Sequence, residues 1–457
     1  MTMDVDLSWL ADRIEDTSAE GIAASVNRLI RAGELVIGSK LPTVRALARA
    51  IGVSPTTVSE SWRSLTRVGA IETRGRNGSF VTGRQRRAEP GRFWRLAAAT
   101  GRFTRDLSAG VPDPDLLPPL GPALARVDGQ PPLSGYLDTP VLPELERLVR
   151  ESWRGVCDPQ ELTIVNGSLD GIDRALSQLV ALGDRVIVEN PTFPPFLDLL
   201  DAVGATPLPV PMDAEGMCPD ALRAALAEEP TALLMQPRAQ NPTGTSTSAR
   251  RVAELAALLA EAPDVVVIED DHVGDVAVAE PVSLATALPE RVVRIQSFSK
   301  SHGPDLRLAA LGGPSALVGP LVARRHLGAA WSSRLLQEIL VGMLTDPGSI
   351  AAVARARSVY AERREALRAA LSARGVNSIG ADGINLWVEV EREREALVVL
   401  AAQGIGAAPG APFLVRSTGT SHLRITTAVL PLSEVDLVAD ALAEAARPYP
   451  PYTPAAM

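Results

Sequence analysis

Lysine is all but missing from this sequence. Of its 45 basic residues only Lys40 and Lys300 are lysines, and the rest are arginines. Lysine is therefore not the ordinary surface cation of this chain. A retained lysine points to chemistry that arginine cannot do: a guanidinium stays protonated, whereas a desolvated amine can lose its proton and condense with an aldehyde. Cysteine is nearly as scarce. Cys157 and Cys218 stand far apart and neither belongs to a metal-type pair, which excludes a disulfide framework and leaves no metal site to expect. Long apolar runs are also absent, and the opening MTMDVDLSWL lacks a basic-then-apolar leader pattern. The expectation is a soluble, cytoplasmic chain without a membrane partner.

What is present is length and an uneven distribution of charge. The 457 residues suffice for two or three domains with a sizeable core. The formal net charge of −9 conceals a basic stretch from Glu20 to Arg105, with 16 bases against five acids, and an acidic remainder. A basic head on an acidic body suggests that the head meets a polyanion and the body does not.

The head reads as three helices and a hairpin. Ile22, Val26, Leu29 and Ile30 recur at helical spacing up to Gly33. Thr43 caps a short helix from Val44 to Ala50, Ile51-Gly52-Val53 turns, and Ser54-Pro55 opens a third helix with Val58, Trp62 and Leu65 on its apolar stripe. Two alternating runs, Gly69–Thr73 and Gly78–Val81, flank the basic tip Arg74-Gly75-Arg76-Asn77. This is the order of a winged helix-turn-helix. Ser54, Thr56, Thr57 and Ser59 are placed to meet base edges or phosphates in a major groove, and Arg45, Arg74 and Arg76 to meet the backbone or minor groove. A three-helix protein-binding module with solvated arginines is the rival reading. The run GELVIGSKLPTVRALARAIGVSPTTVSESWRSL followed by GAIETRGRNGSFV resembles the GntR winged-helix domain over about sixty residues.

The boundaries expected are residues 1–83 for the winged helix-turn-helix, 84–105 for an arginine-rich linker, and 106–457 for the body. Phe93, Trp94 and Phe103 are candidates to tack the linker onto a surface. The body alternates strand and helix as a doubly wound α/β domain does. Strands are expected at 162–165, 185–188, 232–235, 265–268 and 292–295, and helices at 142–153, 170–180 and 249–260. Beyond about Val341 a long helix (349–373) leads to strands near 383–390 and 423–427, so a large lobe of about 120–340 carries a smaller α+β lobe of about 341–447.

The chemistry gathers at strand ends, where open α/β sheets bind ligands. Lys300 offers an amine. Asp270 offers an anion that would hold a pyridine nitrogen protonated. Gly167-Ser168-Leu169, between a strand and a helix, offers backbone N–H groups to a phosphate. Ser297 and Arg307 would complete that cradle, Phe193 would stack on a ring, and Asn241 would bond its phenolic oxygen. Each is weak singly. In this order YLDTPVLPEL, NGSLDG, ENPTFP, QNPTG, IEDD, SFSK and DLRL resemble the fold-type I aminotransferases over about 350 residues. The resemblance implies pyridoxal 5'-phosphate (PLP) on Lys300. It also implies a homodimer in which Tyr136 reaches a neighbouring subunit's phosphate, and Arg424 as the clamp on a substrate carboxylate.

Winged helix plus aminotransferase-like body resembles the MocR branch of the GntR regulators. The implied fold is a winged helix-turn-helix joined to an α/β fold-type I domain with a smaller α+β lobe. The implied function is a PLP-dependent transcription regulator that binds a double-stranded DNA operator and senses an amino acid, an amine or PLP itself. The alternative is an active aminotransferase with an appended DNA-binding domain. Two positions depart from the pattern. His272 stands where tyrosine is usual, either donating to the phenolic oxygen and titrating near neutral pH or packing away from it. Asp305 stands where glycine is common.

Overall fold

The structure is a computed structural model that describes residues 4–82, 92, 103–128 and 135–447, without the side chains of Arg31, Arg67 and Arg76. The head comprises α1 (Leu7–Ala11), α2 (Ala19–Arg31), α3 (Val44–Ile51), α4 (Pro55–Arg67) and the antiparallel hairpin β1 (Ile71–Thr73) and β2 (Ser79–Val81). Its helix starts are fixed by side chains: Ser18, Thr43 and Ser54 each accept a backbone N–H three residues on. Gly52 ends α3 at φ +76°, which a side chain would resist, and so sets the turn into α4. Ile22, Val26, Leu47, Val58, Leu65 and Ile71 close a common core. Helix α1 was not expected. It has five residues and buries only Leu10, too little to show a period.

The chain next adds β3 (Arg105–Asp106), α5 (Leu120–Asp128) and α6 (Pro143–Ser152). The large lobe is built on an eight-stranded sheet. Its strands are β4 (Glu161–Val165), β5 (Arg185–Asn190), β6 (Thr206–Asp213), β7 (Gly216–Met217), β8 (Ala232–Met235), β9 (Val266–Asp271), β10 (Val292–Ser297) and β11 (Ala309–Gly313), in the order β4-β11-β10-β9-β8-β5-β6-β7. The central pairings are parallel, while β11 runs antiparallel to both neighbours.

Successive residues of a strand face opposite ways, so the apolar runs serve two cores at once. Val186, Val188, Ile268 and Val293 pack against α7 (Ser168–Leu179), α8 (Pro194–Val203) and α11 (Ser315–His326). Ile187, Leu233, Val267 and Val292 pack against α6, α9 (Pro219–Leu226), α10 (Ala249–Ala260) and α12 (Arg334–Thr345). Helices therefore cover both faces. The carboxyl ends of β4, β5, β8, β9 and β10 share one edge of this sandwich.

Helix α13 (Pro347–Ala373) has 27 residues, about 40 Å at 1.5 Å per residue. Tyr360 and Val353 bury against the large lobe's edge, and Leu367 and Leu371 enter the small-lobe core. That lobe holds β12 (Ser378–Ile379), β13 (Asn385–Val390), α14 (Glu393–Ala402), β14 (Ile405–Gly406), β15 (Ala408–Pro409), β16 (Ser421–Thr426) and α15 (Val435–Ala446). Strand β14 pairs with β3, which ties Arg105 and Asp106, where linker and body were expected to join, to the small lobe. Phe93 and Trp94 lie outside the described residues, whereas Phe103 lies against Gly406. Among the described residues no single helix is long and apolar enough to cross a membrane.

Candidate functional site

A cavity of about 740 Å³ opens where the carboxyl edge of the sheet meets the small lobe. Ser168, Leu169, Phe193, Asn241, Asp270, His272, Ser297, Lys300, Arg307 and Arg424 all line it. Ten side chains spread over more than 250 residues of sequence are brought together because strand ends and helix starts converge here.

Lys300 follows β10 and donates from Nζ to the Gly110 carbonyl at 2.6 Å. Burial, with Arg424 nearby, pushes its amine down to about 8, so about a tenth of it is neutral at pH 7. Asp270 ends β9, is fully buried, and is pushed up to about 7 chiefly by burial. Its Oδ2 accepts Gln236 Nε2 at 2.9 Å, while Oδ1 has no partner of good hydrogen-bond geometry, although the Ser168 hydroxyl is close enough to lower the Asp270 pKa. Buried carboxylate oxygens are rarely left so, and Asp270 is part of the cavity lining.

Gly167 sits at φ +93° before Ser168, the first residue of α7. A Cβ there would lie 2.8 Å from Arg307 Nη2, so the guanidinium rests against the glycine. Arg307 also donates to the Asn166 carbonyl at 3.3 Å. A helix start, an arginine and free space make an anion cradle. Phe193 is the residue capping α8 at the cavity wall. Ser297 is buried, and its Oγ accepts the Ser299 N–H at 3.2 Å. Asp305 points to solvent.

Arg424, on β16, is buried and pushed down to about 10 by that burial. Its Nη2 donates to the Ser108 carbonyl, Nη1 lies 3.4 Å from Asn241 Oδ1, and Nε is unpartnered. The one carboxylate that acts on it, Asp106, makes no ion pair with it among the described residues, which leaves a buried cation in the cavity lining.

Of the two readings of His272, titration near neutral pH is disfavoured: its ring is buried and pushed down to about 4 by that burial, while it still lines the cavity. Nε2 lies 2.8 Å from the Ala239 carbonyl, which can only accept. That nitrogen therefore holds the proton, and Nδ1 is left an acceptor. Tyr136 does not join the cavity. It is 87% exposed, edge-on to Trp331 at 6.4 Å.

Sequence reasoning passed over Glu189 and Gln236. Glu189 ends β5, is fully buried, and is pushed up to about 8 by burial; its Oε2 accepts from the Gln236 N–H and Gln240 Nε2. Both residues were visible as polar endings of the apolar runs VIVEN and LLMQ.

On the head, Arg45 and Thr56 are exposed, and Ser59 is half-buried. Ser54 is committed locally. It caps α4 at 3.1 Å, and its hydroxyl lies 2.9 Å from that of Thr57. Arg74 is engaged as well, donating to Glu72 at 2.6 Å and lying 4.7 Å over the Phe80 ring. The Arg76 side chain lies outside the described residues.

Residues 105–442 match the family described as aminotransferase class I and II, and residues 18–81 match bacterial regulatory proteins of the gntR family. The vitamin B6 salvage pathway transcriptional repressor PtsJ of Salmonella typhimurium is 36% identical over 93% of this chain and 98% of its own length. This chain belongs to the MocR-type branch of the GntR regulators. The HTH-type transcriptional regulator TauR of Rhodobacter capsulatus is 28% identical over 90% of this chain and 93% of its own. Among solved structures, an archaeal alanine:glyoxylate aminotransferase superposes with TM-score 0.70 at 21% identity, covering 78% of this chain and 93% of that one.

As a MocR-type regulator the chain is a PLP-dependent transcription regulator, with a head that binds DNA and a body that takes a small effector. The residues present fit PLP. Asp270 has an orphaned buried oxygen, and the Gly167 cradle is one that a Cβ would fill. When bound, PLP supplies an aldehyde carbon open to attack by an amine and a ring that withdraws electrons. Lys300 would hold the aldehyde end, Asp270 the ring nitrogen, and Gly167, Ser168 and Arg307 the phosphate.

Proposed function

We propose that this regulator reports the supply of PLP, captured as its aldehyde by Lys300, and that the two occupancies of the cavity correspond to two affinities for an operator. The observation that carries this reading is the pairing, across one cavity, of an amine brought near neutrality and a buried carboxylate with an unused oxygen. The likeness to a vitamin B6 salvage repressor along nearly the whole chain supports it. The protein works in the cytoplasm as a homodimer, each subunit presenting a winged helix to half-sites about 10 base pairs apart or at multiples of that spacing. Tyr136, exposed on the body, then faces the neighbouring subunit.

Operator affinity measured with PLP and with pyridoxamine phosphate, which lacks the aldehyde, tests the reading. Only PLP should shift it, on the order of 5-fold or more. Equal shifts by both would mean that capture by Lys300 is not the signal. A second reading, an amino acid or amine effector, is favoured by Arg424, whose unpartnered Nε marks a place for a carboxylate. Spectral shifts of the PLP-loaded protein with amino acids, lost in Arg424→Ala, would establish it.

A further inference from the structure

Helices α7 and α8 begin at the cavity and end at the head. The start of α7 is the phosphate cradle at Gly167 and Ser168, and the start of α8 carries Phe193, with Asp198 and Leu199 one turn on; these side chains line the cavity. With 12 and 10 residues the two helices span about 18 and 15 Å. Their far ends meet the winged helix. Leu182, just past α7, packs on the head core. A Cβ built on Gly183 would lie 2.7 Å from Glu20 Cγ of α2. A Cβ on Gly204, which ends α8, would lie 2.6 Å from Val68 Cγ1 and would also strike Leu182. Val68 caps the carboxyl end of α4, the helix read as entering the major groove.

One linker residue joins the same helix. Arg92 Nη1 lies 2.8 Å from Asp198 Oδ1 and 2.8 Å from Asp201 Oδ2. The two carboxylates, three residues apart, share one face of α8 and repel each other unless a cation lies between them. Asp198 thus touches the linker while also lining the cavity.

We propose that the far ends of α7 and α8 form a dock for the chain's own winged helix, that Arg92 bridging Asp198 and Asp201 latches the linker to it, and that filling the cavity tightens both. Resting on the reading that PLP is the cavity's ligand, the direction follows from the chain's own groups. An anion held at the start of α7 and a ring against Phe193 steady the near ends of both helices. The added negative charge makes the potential around Asp198 more negative and so adds its own pull on the linker guanidinium. The ion pairs are only partly buried and therefore weak, as a latch that opens and closes requires.

The test is the rate of trypsin cleavage in the linker of the full-length protein, with and without PLP, alongside visible absorbance as a report of PLP capture. Arg92→Gln and Leu182→Asp change residues outside the cavity lining. In the wild type, PLP should slow linker cleavage on the order of 5-fold. Both variants should keep the absorbance, be cleaved faster without PLP, and lose the protection. Arg92→Gln removes one cleavage site, so faster cutting cannot come from the sequence change itself. Variants cleaved and protected as the wild type is would overturn the latch and dock. Wild type that takes up colour but gains no protection would overturn the coupling. Absence of colour in the wild type would instead sink the PLP reading, leaving the variants' faster cleavage without PLP to decide the dock and latch alone.

Discussion

At the scale of single residues the site depends on groups held away from their ordinary protonation. Burial pushes Glu189 up to about 8, against 4.5 for an ordinary glutamate. Below 4.5 the carboxyl is protonated in both folded and unfolded chains. Above it the unfolded chain releases the proton first, so the folded chain loses stability progressively up to about pH 8. Glu189→Gln removes that loss: melting temperature should rise more at pH 8 than at pH 5, and an equal rise at both would contradict the assignment. Gly167 makes a sterically sharper case. At φ +93° and with Arg307 2.8 Å from any Cβ, Gly167→Ala carries strain of about 1–3 kcal/mol at the cradle. PLP titrated by absorbance should bind at least about 5-fold more weakly, and unchanged affinity would place the phosphate elsewhere. Lys300 was legible because lysine is so rare here, and Asp270 because an acid closes an apolar strand. Asp198 was not, because a charged residue in a helix is ordinarily a solvated one, and only the fold shows that it touches both cavity and linker.

At the scale of elements, strand β9 shows how a period of two separates tasks. Asp270 faces the cavity, while Glu269 and Asp271 turn to the other side of the sheet, where Arg238 and Arg294 meet them. Asp271 is held below the usual carboxylate range by Arg294 and Arg238 despite full burial. Asp271→Asn leaves the buried Arg238 without an anion and Arg294 with Glu269 alone, and should cost about 3–5 kcal/mol in urea unfolding of the body; a loss under about 1 kcal/mol would mean the network is solvated. The β-branched runs at β9 and β10 announced themselves by composition. Strand β11 did not, because Ala309-Ala310-Leu311-Gly312-Gly313 has little strand propensity and is held by its two neighbours. Its small residues have a packing reason, since a Cβ on Gly312 would come within 2.9 Å of the Trp153 ring. In the head, caps and turn glycines spelled out α2 to α4, while α1 left no periodic trace.

At the scale of the whole molecule, a head of nearly balanced charge, a basic linker and an acidic body share one chain, and head and body meet through α7 and α8. That meeting was not legible, because Val68, Leu182 and Gly204 belong to three separate runs of sequence that only the fold brings together. The basic stretch from Glu20 to Arg105, head and linker together, should make operator binding strongly salt-dependent. Arg45 is exposed on α3, whereas Arg74 is already engaged by Glu72 and Phe80. Arg45→Ala should weaken binding across sequences and reduce the log–log salt slope by about 1, and an unchanged slope would remove Arg45 from the phosphate contacts. The near-absence of lysine also makes the central claim unusually easy to test. Borohydride reduction of the PLP-loaded protein fixes the cofactor to whichever amine holds it, and mass spectrometry of the digest then has only Lys40, Lys300 and the terminal amine to distinguish. The account expects the label on the peptide containing Lys300, with visible absorbance lost in Lys300→Ala. Label on Lys40 or the terminal amine, or absorbance that survives in Lys300→Ala, would contradict it.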